Sequence, residues 1–326
     1  MYFVYFLRIT RWKKLISDLK VARIKSDRKY LFLVSDMVLS SFKFNTSFHE
    51  YFYYSFYLKD NTTRSAYASM GYMYEYQLRN NPPNYRNLLE DKIVFLKRYN
   101  KYIGRAWLDL RIATSEQLDE MLASNKKLVL KNSLGGAGKN IKIISTENIN
   151  LEELRAIASQ GNYDLLEEFV TQHPELNKLS PHSLNTIRII TQINRDGTVD
   201  IIGTIIRLGV EHETDNLSTG GIACPVDPIL GCICGPGISF DIQRPEIHNH
   251  PYSGKELMGF KVPFWSEALE MCKDAARLHP ENKSIGWDVG ITEKGPLLIE
   301  GNHDWGARLW QMPVNKGLKH LLEIYR

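Results

Sequence analysis

Two carboxylates and an amide near the C-terminus have the chemistry of ligands for a hard metal ion. Asp288 lies in the run GWDVGIT, and Glu300 and Asn302 lie in the run PLLIEGN, with the turn EKG between the two runs. Such an arrangement predicts a β-hairpin, in which Glu300 and Asn302 share one strand face. Because Mg²⁺ takes oxygen ligands and keeps part of its shell for phosphates, these residues favour a site for magnesium and a nucleotide.

A glycine-rich loop, SLGGAGKN, follows a short β-rich run that ends in Lys131. Backbone N–H groups of such a loop and the lysine ammonium together can bind phosphates. The phosphate-loop pattern G-x-x-x-x-G-K-[ST] fails, because Ser133 replaces its first glycine and Asn140 follows Lys139. The dinucleotide pattern fails at Ile141. The loop is therefore either a phosphate clamp of another kind or a plain glycine hairpin with a solvated lysine.

Helices and antiparallel strands must position these groups. The run TSEQLDEMLA predicts a helix in which Thr114 and Gln117 form a capping box. The runs LVLKN and IKIIS predict two strands, and NTIRIITQI and VDIIGTIIRLG predict a hairpin that turns at Asp196 and Gly197. A further helix is expected over residues 266–278. These elements indicate an α+β fold.

Composition excludes several classes of protein. The chain has 326 residues, enough for about two domains. Its 41 Lys and Arg against 37 Asp and Glu give a net charge of +4, which argues against a nucleic-acid partner. Apolar runs are too short to span a bilayer, and four cysteines in a chain of this length suggest a reducing compartment. We therefore expect a cytoplasmic location, with the inner face of the membrane as an alternative.

The first 30 residues are strongly basic, with nine Lys or Arg against Asp18 and Asp27, a net charge of +7. Their pattern predicts one amphipathic helix. Its apolar side chains recur at helical spacing: Phe6, Ile9, Trp12, Ile16 and Leu19. Two interpretations remain open, a terminal helix packed on its own domain with a solvated basic face, and peripheral contact of residues 1–30 with an anionic membrane or a partner.

Four long segments carry a resemblance to a known family: QHPELNKLSPHSLNTIRIIT, DNLSTGGIACPVD, GFKVPFW and IGWDVGITEKGPLLIEGN. From about Asp91 to the C-terminus the sequence resembles the ATP-grasp superfamily, and in particular the sugar-transfer-associated ATP-grasp proteins of polysaccharide biosynthesis. The resemblance implies an ATP-grasp fold, in which two α+β subdomains clamp the nucleotide. Residues 91–168 would carry the glycine lid and residues 169–326 the metal and substrate site. Residues 1–90 would form a less typical N-terminal helical or mixed domain.

The resemblance also implies roles for single residues in binding ATP and Mg²⁺, or Mn²⁺ in its place. The metal ligands would be Asp288, Glu300 and Asn302, in agreement with the hairpin argument. Adenine would be held by the strand LLEEFV, mainly through backbone atoms of Glu168 and Val170, with Glu167 as the neighbouring alternative. The other nucleotide contacts would be the phosphate lysines Lys92 and Lys131, the lid glycines Gly135, Gly136 and Gly138, and Glu175 on the ribose.

One departure from the family concerns an arginine. Many amide-forming relatives place an arginine two residues before the first metal aspartate, where it steadies an acyl phosphate. This chain has Gly286 there. Arg188 and Arg207, on predicted strands that could line the cleft, are the candidates to supply the charge in catalysis. The alternative is that either one is an exposed strand arginine.

A polar loop, DNLSTGGIA, suits a cover that offers donors to an anionic substrate. The residues expected to contact substrate are Asn185, Arg188, Asn216, Ser218, Thr219 and His248. The C-x-C and H-x-H pairs lack the usual spacing of a structural zinc site.

The resemblance implies an ATP-dependent ligase that joins a carboxylate to an amine through an acyl phosphate, in cell-surface polysaccharide or glycan biosynthesis. Its partners would be small molecules or glycans, one acidic, such as a uronic acid unit, and one an amine, such as an amino acid or amino sugar. Two alternatives stay open: an ATP-dependent phosphotransferase acting on a sugar or glycan, and a module that binds nucleotide without turnover.

Overall fold

The computed structural model describes residues 2–135, 141–211 and 215–325, apart from the side chain of Ser218. The N-terminal part is helical. Its α-helices are α1 Tyr2–Ile9, α2 Trp12–Ser26, α3 Tyr30–Phe44, α4 Phe48–Tyr53, α5 Asn61–Ser65, α6 Met70–Asn80, α7 Pro83–Glu90 and α8 Lys92–Arg98, with short 3₁₀ turns at Phe56–Leu58 and Asn100–Tyr102.

The first sheet contains four antiparallel strands in the order β1-β4-β2-β3. The strands are β1 Trp107–Asp109, β2 Lys127–Lys131, β3 Ile141–Ser145 and β4 Leu165–Glu168, and the accompanying helices are α9 Ser115–Ser124 and α10 Leu151–Gly161. Leu118 and Leu154 of the helices pack with Leu128, Leu130 and Leu166 of the strands.

The start of α9 confirms the predicted capping box. Thr114 Oγ1 accepts from the Gln117 backbone at 3.3 Å, and Gln117 Oε1 accepts from the Thr114 backbone at 3.0 Å. Two N–H groups that the helix cannot satisfy internally are thereby bonded.

The second sheet contains five antiparallel strands in the order β7-β6-β5-β8-β9. The strands are β5 Thr186–Ile193, β6 Val199–Leu208, β7 Ile222–Pro225, β8 Ser284–Thr292 and β9 Gly295–Asn302. The helices around them are α11 Pro174–Leu179, α12 Trp265–Leu278, α13 Ala307–Gln311 and α14 Lys319–Glu323. A 3₁₀ turn lies at Leu217–Thr219.

Both predicted hairpins of this sheet are confirmed. β5 and β6 turn at Asp196 and Gly197, where the positive φ of 83° suits a glycine. β8 and β9 pair with Asp288 opposite Glu300. The predicted helix over residues 266–278 corresponds to α12, which packs on the central strands.

The extreme N-terminus differs from the prediction of one amphipathic helix. Thr10 and Arg11 interrupt it, so that α1 and α2 are separate helices and the helical phase changes between them. Trp12 and Ile16, expected on the inner face, are each 54% exposed. The buried residues of α2 are instead Leu15, Asp18 and Ala22.

The last helices of the predicted N-terminal domain pack against the second sheet. Met73 and Tyr76 of α6 contact the cluster around Ile190 and Trp310. Leu89 of α7 belongs to the main core that includes Trp287. Helices on the N-terminal side of the boundary predicted near residue 90 thus share hydrophobic clusters with the second sheet. Among the described residues, every helix is too short or too polar to cross a membrane.

Candidate nucleotide and metal site

A cavity of about 400 Å³ lies between the two sheets. Lys131 and Glu168 line it from the first sheet, and Arg207, Asp288 and Glu300 line it from the second. Charged side chains of both signs from the two sheets thus share one cavity.

The two carboxylates of the hairpin sit side by side. Asp288 and Glu300 are register partners on β8 and β9; Asp288 is 1% exposed and Glu300 is half-buried. Burial and the neighbouring Asp288 raise the pKa of Glu300 above its usual value. Burial also acts to raise the pKa of Asp288, but Arg188 and Arg207 outweigh it, and the net shift is downward. A cation between the two groups would remove their repulsion.

Asn302 completes the set of oxygen-bearing side chains. It lies opposite Gly286, and its amide nitrogen approaches the Gly286 carbonyl at 3.3 Å and Glu300 Oε1 at 3.5 Å. Within the described ranges no three His, Cys, Asp or Glu side chains form a metal-binding cluster. Two carboxylates and one amide fit Mg²⁺, which keeps several waters or phosphate oxygens as ligands.

Arg188 and Arg207 both bond to Asp288. Arg188, its cross-strand partner on β5, donates through Nε to Oδ1 and through Nη2 to Oδ2, the latter at 3.1 Å. Arg207 donates from Nη2 to Oδ2 at 2.9 Å. A carboxylate has about four acceptor positions, so Oδ1 keeps one for a metal ion. Only Arg207 of the two lines the cavity, since Arg188 lies behind Asp288.

Trp305 occupies the space that a side chain at Gly286 would need. A β-carbon at Gly286 would lie 2.3 Å from Trp305 Cβ and 3.0 Å from Arg188 Cδ. An arginine at position 286 would not fit beside Trp305, and Arg188 of the neighbouring strand bonds Asp288.

A buried polar network fixes the position of Arg207. Its Nη2 donates to Thr186 Oγ1 at 2.6 Å, and its Nε lies 3.4 Å from Asp215 Oδ2. Asp215 in turn accepts from the Thr186 backbone at 2.8 Å. The same network brings Asn216 near Arg207, with 3.5 Å between Nη1 and Oδ1. The arginine is therefore held in one orientation toward the cavity.

Lys131 is paired with Glu167, a buried carboxylate of β4. Glu167 also accepts from Arg105 Nη2 at 3.1 Å. Burial acts to raise the pKa of Glu167, but Arg105 and Lys131 outweigh it and lower the pKa to about 2. The carboxylate thus stays ionised and holds the ammonium of Lys131 at the cavity wall.

Lys92 approaches the same cavity from the start of α8. Its ammonium donates to the Gly135 carbonyl, and its backbone N–H donates to Ser133 O at 3.0 Å. Burial lowers the pKa of Lys92, although Glu300 acts in the opposite direction. Asp91, just before it, caps α8 by accepting from Ile93 N at 2.8 Å.

Hydrogen bonds to Asp164 hold the start of the glycine loop in place. The backbone N–H and hydroxyl of Ser133 each donate to the Asp164 carboxylate at 2.6 Å. Gly135 lines the cavity, while Gly136 and Gly138 lie outside the described residues.

The segment after β4 forms a mixed apolar and polar wall. Glu168, Phe169 and Val170 line the cavity, with Val129 and Ile143 beside them. Glu168 Oε2 accepts from the Ala106 backbone at 3.0 Å. Such a mixed wall suits a flat heterocycle.

Several other predicted residues lie away from the cavity lining. Glu175 is exposed and pairs with Lys178 at 2.7 Å. Thr219 and His248 are exposed and outside the lining. Asn185 is buried, and its amide nitrogen donates to Gln172 Oε1 at 2.7 Å, a contact that joins two loops. The side chain of Ser218 is outside the described part of the chain.

Sequence reasoning missed other residues at the site. Arg105, which bonds Glu167 and the Leu298 carbonyl, belongs to no motif. Asp215 is the first residue of the polar loop DNLSTGGIA, and no role was predicted for it. His182 lies in the first segment of the family resemblance, where the sequence favours a structural histidine; its ring lies 4.1 Å from that of Tyr252, and it lines the cavity.

Two α+β units on either side of one cavity, with Lys131 on the first and Asp288 and Glu300 on the second, are the arrangement expected of an ATP-grasp protein. The sequence matches the family described as "Sugar-transfer associated ATP-grasp" over residues 72–325, and the chain belongs to that family. The match begins ahead of Asp91, where the motifs alone placed its start. No curated protein matched the sequence.

Solved structures similar to this chain include ATP-grasp ligases. The ligase PsnB, complexed with a phosphomimetic variant of its minimal precursor, Mg and ADP, is 12% identical, with 76% of this chain and 62% of that chain covered and a TM-score of 0.45. Biotin carboxylase from Campylobacter jejuni is 12% identical, with 67% and 41% covered and a TM-score of 0.43. PurK, an N5-carboxyaminoimidazole ribonucleotide synthetase in complex with ADP, is 13% identical, with 66% and 45% covered and a TM-score of 0.37. The chain thus spans less than two thirds of each of these proteins.

Proposed function

We propose that this protein is an ATP- and Mg²⁺-dependent ligase that joins a carboxylate to an amine through an acyl phosphate. One observation carries the proposal: the Asp288–Glu300 pair of the second sheet lies on the same cavity as Lys131 of the first sheet and Lys92 of α8. Carboxylates for a metal and lysines for phosphates are the groups that phosphoryl transfer from a nucleotide requires. Membership of an ATP-grasp family supports the same activity.

The wall after β4 would receive the nucleotide base. Backbone atoms of Glu168 and Val170 would bond the adenine edge, and Phe169 with Val129 would pack against its faces. Lys131, held by Glu167, would then meet the phosphates. Mg²⁺, or Mn²⁺ in its place, would be held by Asp288, Glu300 and Asn302 and would supply charge neutralisation at the phosphates.

The reaction would proceed in two transfers. A carboxylate oxygen of the acidic substrate attacks the γ-phosphorus of ATP, the bond to the β-γ bridging oxygen breaks, and ADP leaves. The amine nitrogen then attacks the acyl carbon, phosphate leaves, and the nitrogen loses a proton. Lys131 and Lys92 orient the phosphates, and Arg207, fixed by Thr186 and Asp215, faces the developing negative charge.

The acid and the amine belong to the chemistry of cell-surface glycans in this proposal. The family description links these proteins to sugar transfer. Arg207, Asn216 and His182 on the cavity lining offer a cation and polar groups to an acidic sugar unit such as a uronic acid. The amine would be an amino acid or an amino sugar.

A second candidate is phosphotransfer to a sugar or glycan hydroxyl. It is favoured by Gly286, because the arginine that steadies acyl phosphates in relatives is excluded here by Trp305. The ligase stays the leading proposal, since Arg207 brings a guanidinium to the same aspartate.

Phosphorus NMR of Mg-ATP with the protein, ¹⁸O-carboxylate uronic acids and a panel of amines tests both candidates. Ligation predicts ADP and free phosphate that carries one ¹⁸O, lost in Asp288→Asn and Glu300→Gln. Glu270→Gln, which removes an exposed carboxylate of α12, is the matched control and should retain turnover. ADP with a new phosphoester resonance would establish phosphotransfer instead. ATP that binds and stays intact with a full sugar-nucleotide and glycan extract would contradict both.

A further inference from the structure

The outer face of α3 is apolar although it faces solvent. Leu31, Val34, Leu39 and Phe42 are 80%, 39%, 64% and 63% exposed. Their spacing places them on one side of the helix, opposite the buried face. A helix that met only water on this side would carry polar residues there.

The outer face of α2 alternates cations with apolar side chains. Lys13, Ile16, Lys20 and Ile24 are exposed and follow one another at helical spacing. Ile24 alone is 84% exposed. This is the composition of helices that lie in a membrane interface, with apolar groups entering the acyl boundary and lysines beside the headgroups.

The two outer faces point away from one common core. Leu15 and Ala22 of α2 pack with Leu33 and Met37 of α3 in a single cluster. α2 and α3 also pack against each other and against α4, so their outer faces belong to neighbouring helices. At the end of α3, the ring of Phe3 from α1 stacks on Phe42 with 4.6 Å between centroids, which extends the apolar area onto α1.

Positive charge is concentrated on this part of the chain. Residues 1–30 carry +7 within a protein of +4, so all other residues together are slightly acidic. Lys14 and Lys25 bond the carbonyls of Phe240 and Ile242, which fastens α2 to the rest of the protein. The guanidinium of Arg28 lies 4.5 Å from the Phe32 ring centroid and remains at the surface.

Helix length decides between lying on a bilayer and crossing it. α2 and α3 each have 15 residues, which corresponds to about 22 Å against a hydrocarbon thickness of about 30 Å. Either helix can therefore lie along the interface.

We propose that the outward faces of α2 and α3, with α1 beside them, form a membrane-docking surface for anionic phospholipid. Two features together indicate anionic phospholipid as the binding partner. The large exposed apolar side chains can enter the acyl-chain region, and the lysines between them can bind the negatively charged headgroups. The inference goes beyond the proposed ligase activity, because it concerns where the protein resides and is independent of turnover.

Vesicle flotation of the full chain tests this surface. The probes are vesicles of phosphatidylcholine alone and vesicles that also contain phosphatidylglycerol. We expect flotation with the anionic vesicles and its loss in ~1 M NaCl, where the screening length falls to about 3 Å. Lys13→Gln with Lys20→Gln should weaken binding about fivefold for each charge removed. The matched control Lys255→Gln with Lys261→Gln, two exposed lysines elsewhere, should bind like the wild type.

Apolar variants complete the test. Leu39→Ser with Phe42→Ser should weaken vesicle binding about tenfold or more. Ile229→Ser with Leu230→Ser, which removes two even more exposed apolar side chains from a loop, should leave it unchanged. The proposal would be overturned if the two double variants floated equally with the anionic vesicles, or if the wild type did not float. Loss of a dimer in Leu39→Ser with Phe42→Ser, without lipid binding in the wild type, would make this face a contact between copies. Thermal melting shows that each variant is folded, and ATP turnover, measured without vesicles, is read separately.

Discussion

Arg188 and Asp288 face each other on neighbouring strands, and the two bonds between them keep a buried carboxylate ionised beside the candidate metal site. Glu300, the partner of Asp288 on β9, has a raised pKa, because burial and Asp288 outweigh the opposing effect of Arg207. The two carboxylates thus differ in what they do for the fold, although both are expected to hold the metal.

Glu300→Gln and Asp288→Asn should therefore have opposite effects on stability. Removing the Glu300 charge relieves repulsion, so the metal-free melting temperature should stay the same or rise. Removing the Asp288 charge leaves the buried guanidinium of Arg188 without its carboxylate partner, while Arg207 keeps Asp215, and should destabilise by about 3 kcal/mol. Differential scanning calorimetry without metal checks this, and equal losses in both variants would contradict it.

The same two variants should lose magnesium-dependent turnover. A side chain that stabilises transferring phosphates contributes about 100-fold or more to the rate. In the wild type, Mg-ATP should also raise the melting temperature by binding only the folded state, and this increase should shrink in Glu300→Gln. An unchanged increase would remove Glu300 from the metal site.

Glu167→Gln should destabilise the protein and weaken nucleotide binding together. The substitution leaves Lys131 and Arg105 without their shared counter-charge, a loss of about 3 kcal/mol for a buried pair. Calorimetric titration with a non-hydrolysable ATP analogue measures the second effect. Glu168→Gln, one residue away on the cavity side, is the comparison: it should retain the position of Lys131 and most of the stability.

Acid should remove the stabilisation that Glu167 provides. Its pKa is lowered from 4.5 to about 2, so the contribution is fully present above pH 4.5 and is lost as the pH falls toward 2. The total is about 3 kcal/mol. Urea unfolding at a series of pH values should show this slope in the wild type, and the Glu167→Gln variant should lack it. Identical slopes would mean that the carboxylate is not paired in the folded protein.

Gly286→Ala should be strongly unfavourable for one added methyl group. The new carbon would lie 2.3 Å from Trp305 Cβ, and overpacking of a core costs about 1–3 kcal/mol. Gly290→Ala on the same strand is the control, because its nearest contact is the end of Ile299 at 3.3 Å, which can move. Chemical denaturation of both variants compares them; equal stabilities would show that β8 shifts freely.

The sequence predicted the strands and their pairing because local rules determine them. Alternating β-branched residues and the Asp196–Gly197 turn define the β5–β6 hairpin, and the β8–β9 hairpin brings Asp288 to Glu300. The choice between Arg188 and Arg207 could not be made from sequence. The choice depends on which of the two guanidinium groups reaches the cavity, and the packing of the whole sheet determines that.

The N-terminus shows a second limit of sequence reasoning. The apolar spacing through Trp12 and Ile16 was correct as a pattern, but the break at Thr10 and Arg11 rotates α2 relative to α1. These two coil residues change which side chains of α2 face the core and which face solvent. Arg105 was missed for another reason: its partner Glu167 is distant in sequence, and no spacing rule links them.

The close approach of Gly286 and Trp305 also restricts how this family member can evolve. The atom in the way is the β-carbon of Trp305, which every residue except glycine possesses, so exchanging the indole for a smaller side chain would not make room. An arginine at position 286 requires a backbone shift or the loss of a tryptophan that is 1% exposed and stacks edge-on against Trp310. Positions 286 and 305 therefore constrain each other, and a side chain at position 286 requires a matching change in the backbone around Trp305.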